Sequence, residues 1–334
     1  MRIVVDAMGS DNNPEPDVAG AVMAARKLQD TIILVGNGPS VESELAKYDT
    51  TGLALEIVHA SQVITMEDKP SLVVREKKDS SMHVGLKLVK NGGAEAFVTV
   101  GNTGAALGVA MLRNTGLGRI PGIKRPALGV IFPTPERPML IDNGANADCK
   151  PEYLLQFALM GSIYVEHILG IKNPRVGLLS NGEEEGKGNI LIQETVPLLA
   201  GSDLNFIGSI EPKEFMHGAA DVIVTDGFTG NIMMKTAEAV ASYMSQMIRH
   251  YIKSGARTAV GGLLARPAFD RVKSHLDPDE VGGAPLLGVN GVVIIGHGRS
   301  GALAMMRAIE QARLVAEKKI VDAIAAGVGR EGWN

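Results

Sequence analysis

The sequence predicts an α/β/α sandwich, a largely parallel β-sheet with helices packed on both faces. Short apolar runs rich in β-branched residues recur along the 334 residues, segments with helical spacing separate them, and 40 glycines supply tight turns. That alternation is the pattern of a sheet buried on both faces. A single domain over residues 1–334 is expected, with 237–280 forming a protruding helical hairpin.

Ile3-Val4-Val5 opens the chain as a strand. After Pro14 and Pro16, the residues Val18, Ala21, Val22 and Ala25 repeat at helical spacing, which gives an amphipathic crossover helix. Strands are expected at Ile32 to Val35, Ala96 to Val100, Ala127 to Ile131, Val176 to Leu179, Val222 to Val224 and Val292 to Ile295. A helix follows from Ile232 to Tyr243, and Ala237 to Lys253 continues it with an apolar stripe of Ala241, Met244, Met247, Ile248 and Tyr251. Phe269 to His275 returns as a second helix. Between them Thr258 to Ala268, with Gly261, Gly262 and Pro267, reads as a loop tip carrying Val260, Leu263 and Leu264.

Composition removes several function classes. A formal net charge of -4 lacks the basic footprint of a general nucleic-acid binder. The single cysteine, Cys149, excludes an intramolecular disulfide and a cysteine-rich metal site, which fits a reducing cytoplasm. Met1 to Val5 enters folded sequence at once, so no signal peptide is expected, and no apolar run approaches the ~18 to 20 residues of a membrane-spanning helix. Histidines and acids show no metal-ligand spacing; neither a metal nor a cofactor is expected. The phosphate loop of nucleotide hydrolases and the dinucleotide fingerprint are both missing, Gly36-Asn37-Gly38-Pro39 being only superficially similar to the latter.

Four strand ends carry small polar residues among glycines. They are the segment around Asp6, the run Gly101-Asn102-Thr103-Gly104, the run Asp142-Asn143-Gly144-Ala145-Asn146, and Asp226 to Asn231. In a parallel sheet such ends share one edge, so one pocket can use all four. The same residue types also serve as ordinary turns and N-caps. In the last segment a strand breaks through Gly227, Thr229 and Gly230 into a helix, and a helix N-terminus with close-approaching backbone favours an anion such as phosphate.

After the Val176 strand, Lys187 lies between glycines behind Glu183, Glu184 and Glu185, with Asn189 two residues on. Its ammonium suits phosphate or a developing oxyanion, and the alternative is a loop lysine paired with Glu183 or Glu184. His297 and Cys149 lack partners in the sequence and read as packing residues. Arg249, Lys253, Arg257, Arg266, Arg271 and Lys273 stand against the lone acid Asp270 beside the apolar tip, a combination that suits an acidic protein or an anionic membrane surface.

Together these segments resemble one family nearly end to end: the bacterial phosphate acyltransferases, which convert acyl-acyl carrier protein and inorganic phosphate into acyl phosphate for phospholipid synthesis. The landmarks are Val5 to Gly9, Arg75 to Met82, Gly101 to Ala105, Asp142 to Asn146, Asn181 to Glu184, Asp226 to Asn231 and Gly282 to Gly291. The resemblance implies a fold similar to the isopropylmalate dehydrogenase and phosphotransacetylase group, a homodimer, and peripheral association with the inner face of the cell membrane. It also implies acyl carrier protein as partner and a glycerol-3-phosphate acyltransferase downstream. Ser10 and Asn12 depart from the family's usual glycine and histidine, and Arg299 and Gly301 depart near the end. The expected mechanism is direct attack of phosphate on the acyl thioester. Lys187, Asp226 and Asn231 form the catalytic set, and Asp6, Gly101, Asn102, Thr103, Asp142, Asn143, Gly144, Asn189, Gly227, Thr229 and Gly230 bind substrate. The alternatives are a phosphotransacetylase acting on short acyl-coenzyme A and a non-catalytic membrane-docking sensor.

Overall fold

The structure, a computed structural model, describes residues 1–276 and 282–329, with the side chains of 273–276 excepted. The Lys273 side chain and positions 277–280 of the expected hairpin therefore lie outside the described residues.

Eleven strands form one sheet. In chain order they are β1 (Arg2–Asp6), β2 (Thr31–Gly36), β3 (Leu55–His59), β4 (Ala96–Thr99), β5 (Ala127–Ile131), β6 (Met139–Ile141), β7 (Val176–Leu179), β8 (Phe206–Ile210), β9 (Val222–Val224), β10 (Ala284–Leu287) and β11 (Val292–Ile295). Their spatial order is β3-β2-β1-β4-β11-β10-β5-β6-β9-β7-β8. All seven expected runs are strands. The four additional strands carry weaker signals: β6 has three residues, β10 contains Pro285, and β3 and β8 lie at the sheet's borders with half-open side chains.

Burial explains the continuous apolar runs. Along β1, Ile3 and Val5 pack on one face and Val4 on the other; Val222 and Val224 divide from Ile223 in the same way. The first face is covered by the helices Glu15–Leu28, Pro151–Leu169 and Ala302–Glu317. The second is covered by Ser81–Lys90 and Thr103–Ala110. Each fully buried Ile or Val contributes about 1.5–3 kcal/mol, and two covered faces give successive positions of the interior strands that contribution.

Strand direction is where the fold departs from the sequence reading. β1, β2, β3, β4 and β11 run parallel, but β10 is antiparallel to β11, β5 to β10, and β6 to β5. β9, β7 and β8 then follow β6 in parallel. Three reversals leave the two halves of the sheet pointing in opposite directions. The ends of β1, β4 and β11 thus open on one edge, and those of β6, β9 and β7 on the other. The expectation that all four polar loops share one edge is corrected: they divide two and two.

The hairpin region differs as well. One helix runs unbroken over Gly227–Ile252, and a second covers Ala256–Leu276, so Thr258 to Ala268 is helical rather than a loop. Gly262 has a packing role there: a Cβ at that position would collide with the Ile252 side chain, so the glycine lets the two helices approach. Close packing outweighs the ~1 kcal/mol that each interior glycine costs. Val260, Leu263 and Leu264 stay exposed, at 61%, 68% and 78%, now along a helix. Among the described residues, no helix is long and apolar enough to cross a membrane.

Candidate active site

At the edge formed by β6, β9 and β7, the loops after neighbouring strands open side by side, and those after β6 and β9 touch. Asp142 follows β6 and is fully buried. Its carboxylate accepts hydrogen bonds from the amides of Leu128 (2.9 Å), Ala145 (3.0 Å) and Asn146 (2.7 Å), and from Asn146 Nδ2 (2.9 Å). Burial raises the Asp142 pKa above the usual carboxylate range, opposed by those donors. The donors fold residues 142–146 into a cap over the start of the long helix. There a Cβ at residue 227 would stand 2.8 Å from Asp142 Oδ2, and one at residue 230 would collide with the Asp142 carbonyl. Glycine at both positions lets the two loops touch. Gly144 in turn lies against Asn231, whose side chain is 3.7 Å from a Cβ built on that glycine.

The helix start is sealed by its own groups. Asp226 is the N-cap: Oδ1 accepts from the Thr229 amide (2.8 Å) and Oδ2 from the Thr229 hydroxyl (2.8 Å). The Gly227 amide donates to the Asn146 carbonyl (2.7 Å) and the Gly230 amide to the Asp226 carbonyl (2.9 Å). The sequence reading left these amides open for an anion; the fold commits those of Gly227, Thr229 and Gly230 internally. A carboxylate already sits on the dipole end. Asp226 is engaged by Thr229 and forms no salt bridge with Lys187 among the described residues.

β7 is the neighbour of β9, so the Lys187 loop opens on the same edge. That loop is braced from within: Asn181 Oδ1 accepts from the Gly188 amide (3.0 Å), and Gln193 Nε2 donates to the carbonyls of Gly186 (2.8 Å) and Gly188 (3.1 Å). Asn189 caps the next helix by accepting from the Ile192 amide (3.0 Å), leaving its amide hydrogens free of that role. Lys187 is exposed and makes no salt bridge among the described residues, so the pairing with Glu183 or Glu184 is not formed. A braced loop that carries an exposed ammonium and the Asn189 carboxamide can gather negative charge. Asn143 adds an Oδ1 that is buried without a partner.

Cys149 stands behind this edge. Burial, with Asp142 and Asp226 adding to it, pushes its thiol pKa up to about 12. At neutral pH it is therefore protonated and unsuited to nucleophilic attack, in keeping with the packing role read from sequence.

The opposite edge holds Asp6, Gly101, Asn102 and Thr103. Asp6 is buried and accepts from the Thr99 hydroxyl (2.8 Å) and the Met8 amide (3.1 Å); burial raises its pKa. The Gly101 amide bonds to Thr99 Oγ1 (3.0 Å). Asn102 caps a helix through the Ala105 amide (3.0 Å), while its Nδ2 donates to the carbonyls of Thr65 (3.2 Å) and Asp68 (3.1 Å). Thr103 opens that helix and is half-buried. Here the loop residues chiefly tie strands and helices together.

Asp17 was missed by the sequence reading. It is buried, accepts from the Ser10 hydroxyl (2.9 Å) and amide (3.3 Å), and leaves its other oxygen without a partner. Burial and then the nearby Asp6 charge push its pKa up to about 7. The available signal was phase: Asp17 lies four and eight residues before Ala21 and Ala25 on the buried stripe. Its place in a first helical turn, where acids are ordinary, hid that signal. Ser10, one of the departures from the family pattern, supplies its hydroxyl to this carboxyl.

Comparison with known proteins agrees with this architecture. Residues 1–322 match the family described as "Fatty acid synthesis protein". A phosphate acyltransferase of Elusimicrobium minutum is 45% identical over 326 residues, covering 97% of this chain and 95% of that protein. One from Alkaliphilus oremlandii is 46% identical, covering 99% and 98%. The chain belongs to the phosphate acyltransferase family, a family of acyl-transferring enzymes. A phosphotransacetylase of Streptococcus pyogenes superposes with a TM-score of 0.61 at 18% identity, covering 96% of this chain and 94% of that one, which establishes the shared fold. The family and fold group expected from the landmark segments are thus correct.

Proposed function

We propose that this enzyme moves a long-chain acyl group from acyl-acyl carrier protein to inorganic phosphate, releasing acyl phosphate for phospholipid synthesis. The observation that carries the reading is the meeting of the Lys187, Asn231 and Asp142 loops on one sheet edge in a chain of this family.

In this reading a phosphate oxygen attacks the thioester carbonyl and a C–O bond forms. The carbonyl becomes an oxyanion, which collapses as the C–S bond breaks; the carrier thiolate leaves and takes a proton from solvent. Lys187 balances the charge of phosphate and oxyanion, Asn231 donates to the oxyanion, and the carboxamides of Asn143 and Asn189 complete the binding set with Gly144 and Thr229. Asp226 fixes the helix start that carries Asn231. Direct attack is supported by the absence of an activated thiol: Cys149, with its pKa near 12, is no nucleophile.

The test measures thiol release from a long-chain acyl-acyl carrier protein, with and without phosphate, while hydroxylamine traps acyl phosphate. Phosphate-dependent release with trapped product supports the reading. Release without phosphate, or acyl chain recovered bound to the protein, rejects it; preference for short acyl-coenzyme A replaces the carrier protein as substrate.

The same reading has the enzyme act as a homodimer at an anionic membrane surface, contacting it through Val260, Leu263 and Leu264 and delivering product to a glycerol-3-phosphate acyltransferase. Exposed apolar side chains beside Arg257, Arg266 and Arg271 support it. Replacing Leu263 and Leu264 with aspartate is expected to release the protein from anionic vesicles; unchanged vesicle binding would remove this face as the contact. Sedimentation as a monomer would remove the dimer.

A further inference from the structure

A second cavity, away from the reacting loops, has the chemistry of a carboxylate site. At about 380 Å³ it falls within the ~300–1,000 Å³ of small-molecule pockets, whereas a groove of about 520 Å³ by the helix Pro151–Leu169 has an acidic rim of Glu166 and Asp203 and neither lysine nor arginine in its lining. The smaller cavity lies between the β5–β6 turn, the helix Pro151–Leu169 and the helix Ala302–Glu317. Phe132, Ile168, Leu169 and Leu314 give it apolar walls.

Its lining supplies the donors Arg137 and Tyr164, beside Thr134 Oγ1 and Gln311 Oε1, which are buried without a partner. Arg137 stands on the turn with left-handed backbone (φ 51°), its amide bonded to the Thr134 carbonyl (3.1 Å), and its guanidinium makes no salt bridge among the described residues. Tyr164 is 1% exposed; its oxygen accepts from Gln311 Nε2 (3.1 Å), which leaves its own O–H to donate. Burial pushes its pKa up to about 12, so that proton is retained at neutral pH. The one acid in the lining, Glu310, is already paired with Lys27 (2.5 Å) and Arg307 (3.1 Å), so it offers little repulsion to an incoming anion.

We infer that this cavity binds a free carboxylic acid with an apolar tail, its carboxylate on Arg137 and Tyr164 and its chain along Phe132, Ile168 and Leu314. Guanidinium pairs with carboxylate through two charge-assisted hydrogen bonds, and the apolar walls reward an alkyl tail but not a bare anion such as phosphate. The inference goes beyond the proposed reaction and does not rest on it. The site sits at the start of β6, and Asp142 follows the end of that three-residue strand.

Isothermal titration of the full-length protein with sodium octanoate, below its micelle concentration, tests this. One saturable site per chain is expected, weakened about tenfold or more in Arg137→Gln and lost in Leu314→Glu, with both variants checked for the wild-type melting temperature. Octylamine, which has the same tail and the opposite charge, is expected not to compete. Absence of saturable binding, equal binding by Arg137→Gln, or competition by octylamine would each overturn the assignment.

Discussion

The two edges of the sheet are built from the same vocabulary, an aspartate at a strand end followed by glycines and an asparagine cap, yet they solve the burial of charge differently. Asp142 is surrounded by four donors from its own loop and the start of β5. Asp6 has the Thr99 and Ser81 hydroxyls and the Met8 amide, three donors rather than four, and beside it lies a second buried carboxyl, Asp17, with one oxygen unpartnered. The first arrangement keeps a loop in place against a helix start; the second stores a proton in the core. A loop motif therefore does not state its role: the number of donors that tertiary structure aims at the carboxylate does.

The largest effect is expected from Asp142→Ala. It strands several buried amides, each costing about 1–3 kcal/mol, so a loss of about 3 kcal/mol or more is expected in urea unfolding. Asp6→Asn keeps an acceptor for Thr99 and removes a like charge, so it should shift stability by about 1 kcal/mol or less. Equal losses in the two variants would erase the contrast between the edges.

Next comes Lys187→Ala, on the exposed side of the Asp142 edge. A drop of about 10² to 10³ in phosphate-dependent turnover is expected with the unfolding midpoint unchanged, since the side chain is exposed and makes no salt bridge among the described residues. A variant with normal turnover would take Lys187 out of the site.

The smallest effect is a pH signature. Asp17 has a folded pKa of about 7 against 3.8 for the free group, so between those values the folded protein holds a proton that the unfolded chain has lost. This contribution to stability is full below about pH 4, declines as pH rises towards 7, and is gone above it. Asp17→Asn should flatten that decline, and Asp6→Asn should move its upper end to lower pH by removing the adjacent charge. If the slope between pH 4 and 7 survives in Asp17→Asn, the stored proton is elsewhere.

Much of this was legible in the sequence because it follows from local rules. Strands such as Val222–Val224 announce themselves by β-branched runs, and the caps at Asn102, Asn189 and Asp226 are the residue types that satisfy a first helical turn. Lys187 could be singled out for its glycine-bounded loop after a core strand. What escaped depends on partners distant in sequence. In the helix that includes Thr258 to Ala268, Gly262 packs against Ile252 of the preceding helix, and no local propensity reports such a contact. The buried Asp17 owes its raised pKa to burial and to the nearby Asp6, and the amides of Gly227, Thr229 and Gly230 owe their internal partners to Asn146 and Asp226.

By itself the sequence determined the alternation of strand and helix, the two-faced burial, the family, and the segments that carry polar chemistry, because hydrophobic periodicity, capping and turn residues act within a few positions of one another. Tertiary structure alone decided which of those segments meet. Reversals at β10, β5 and β6 cost the chain nothing that a local pattern can register, since an apolar strand buries the same side chains in either direction. They nevertheless send two of the four loops to the far edge, leaving Lys187, Asn231 and Asp142 together on the other.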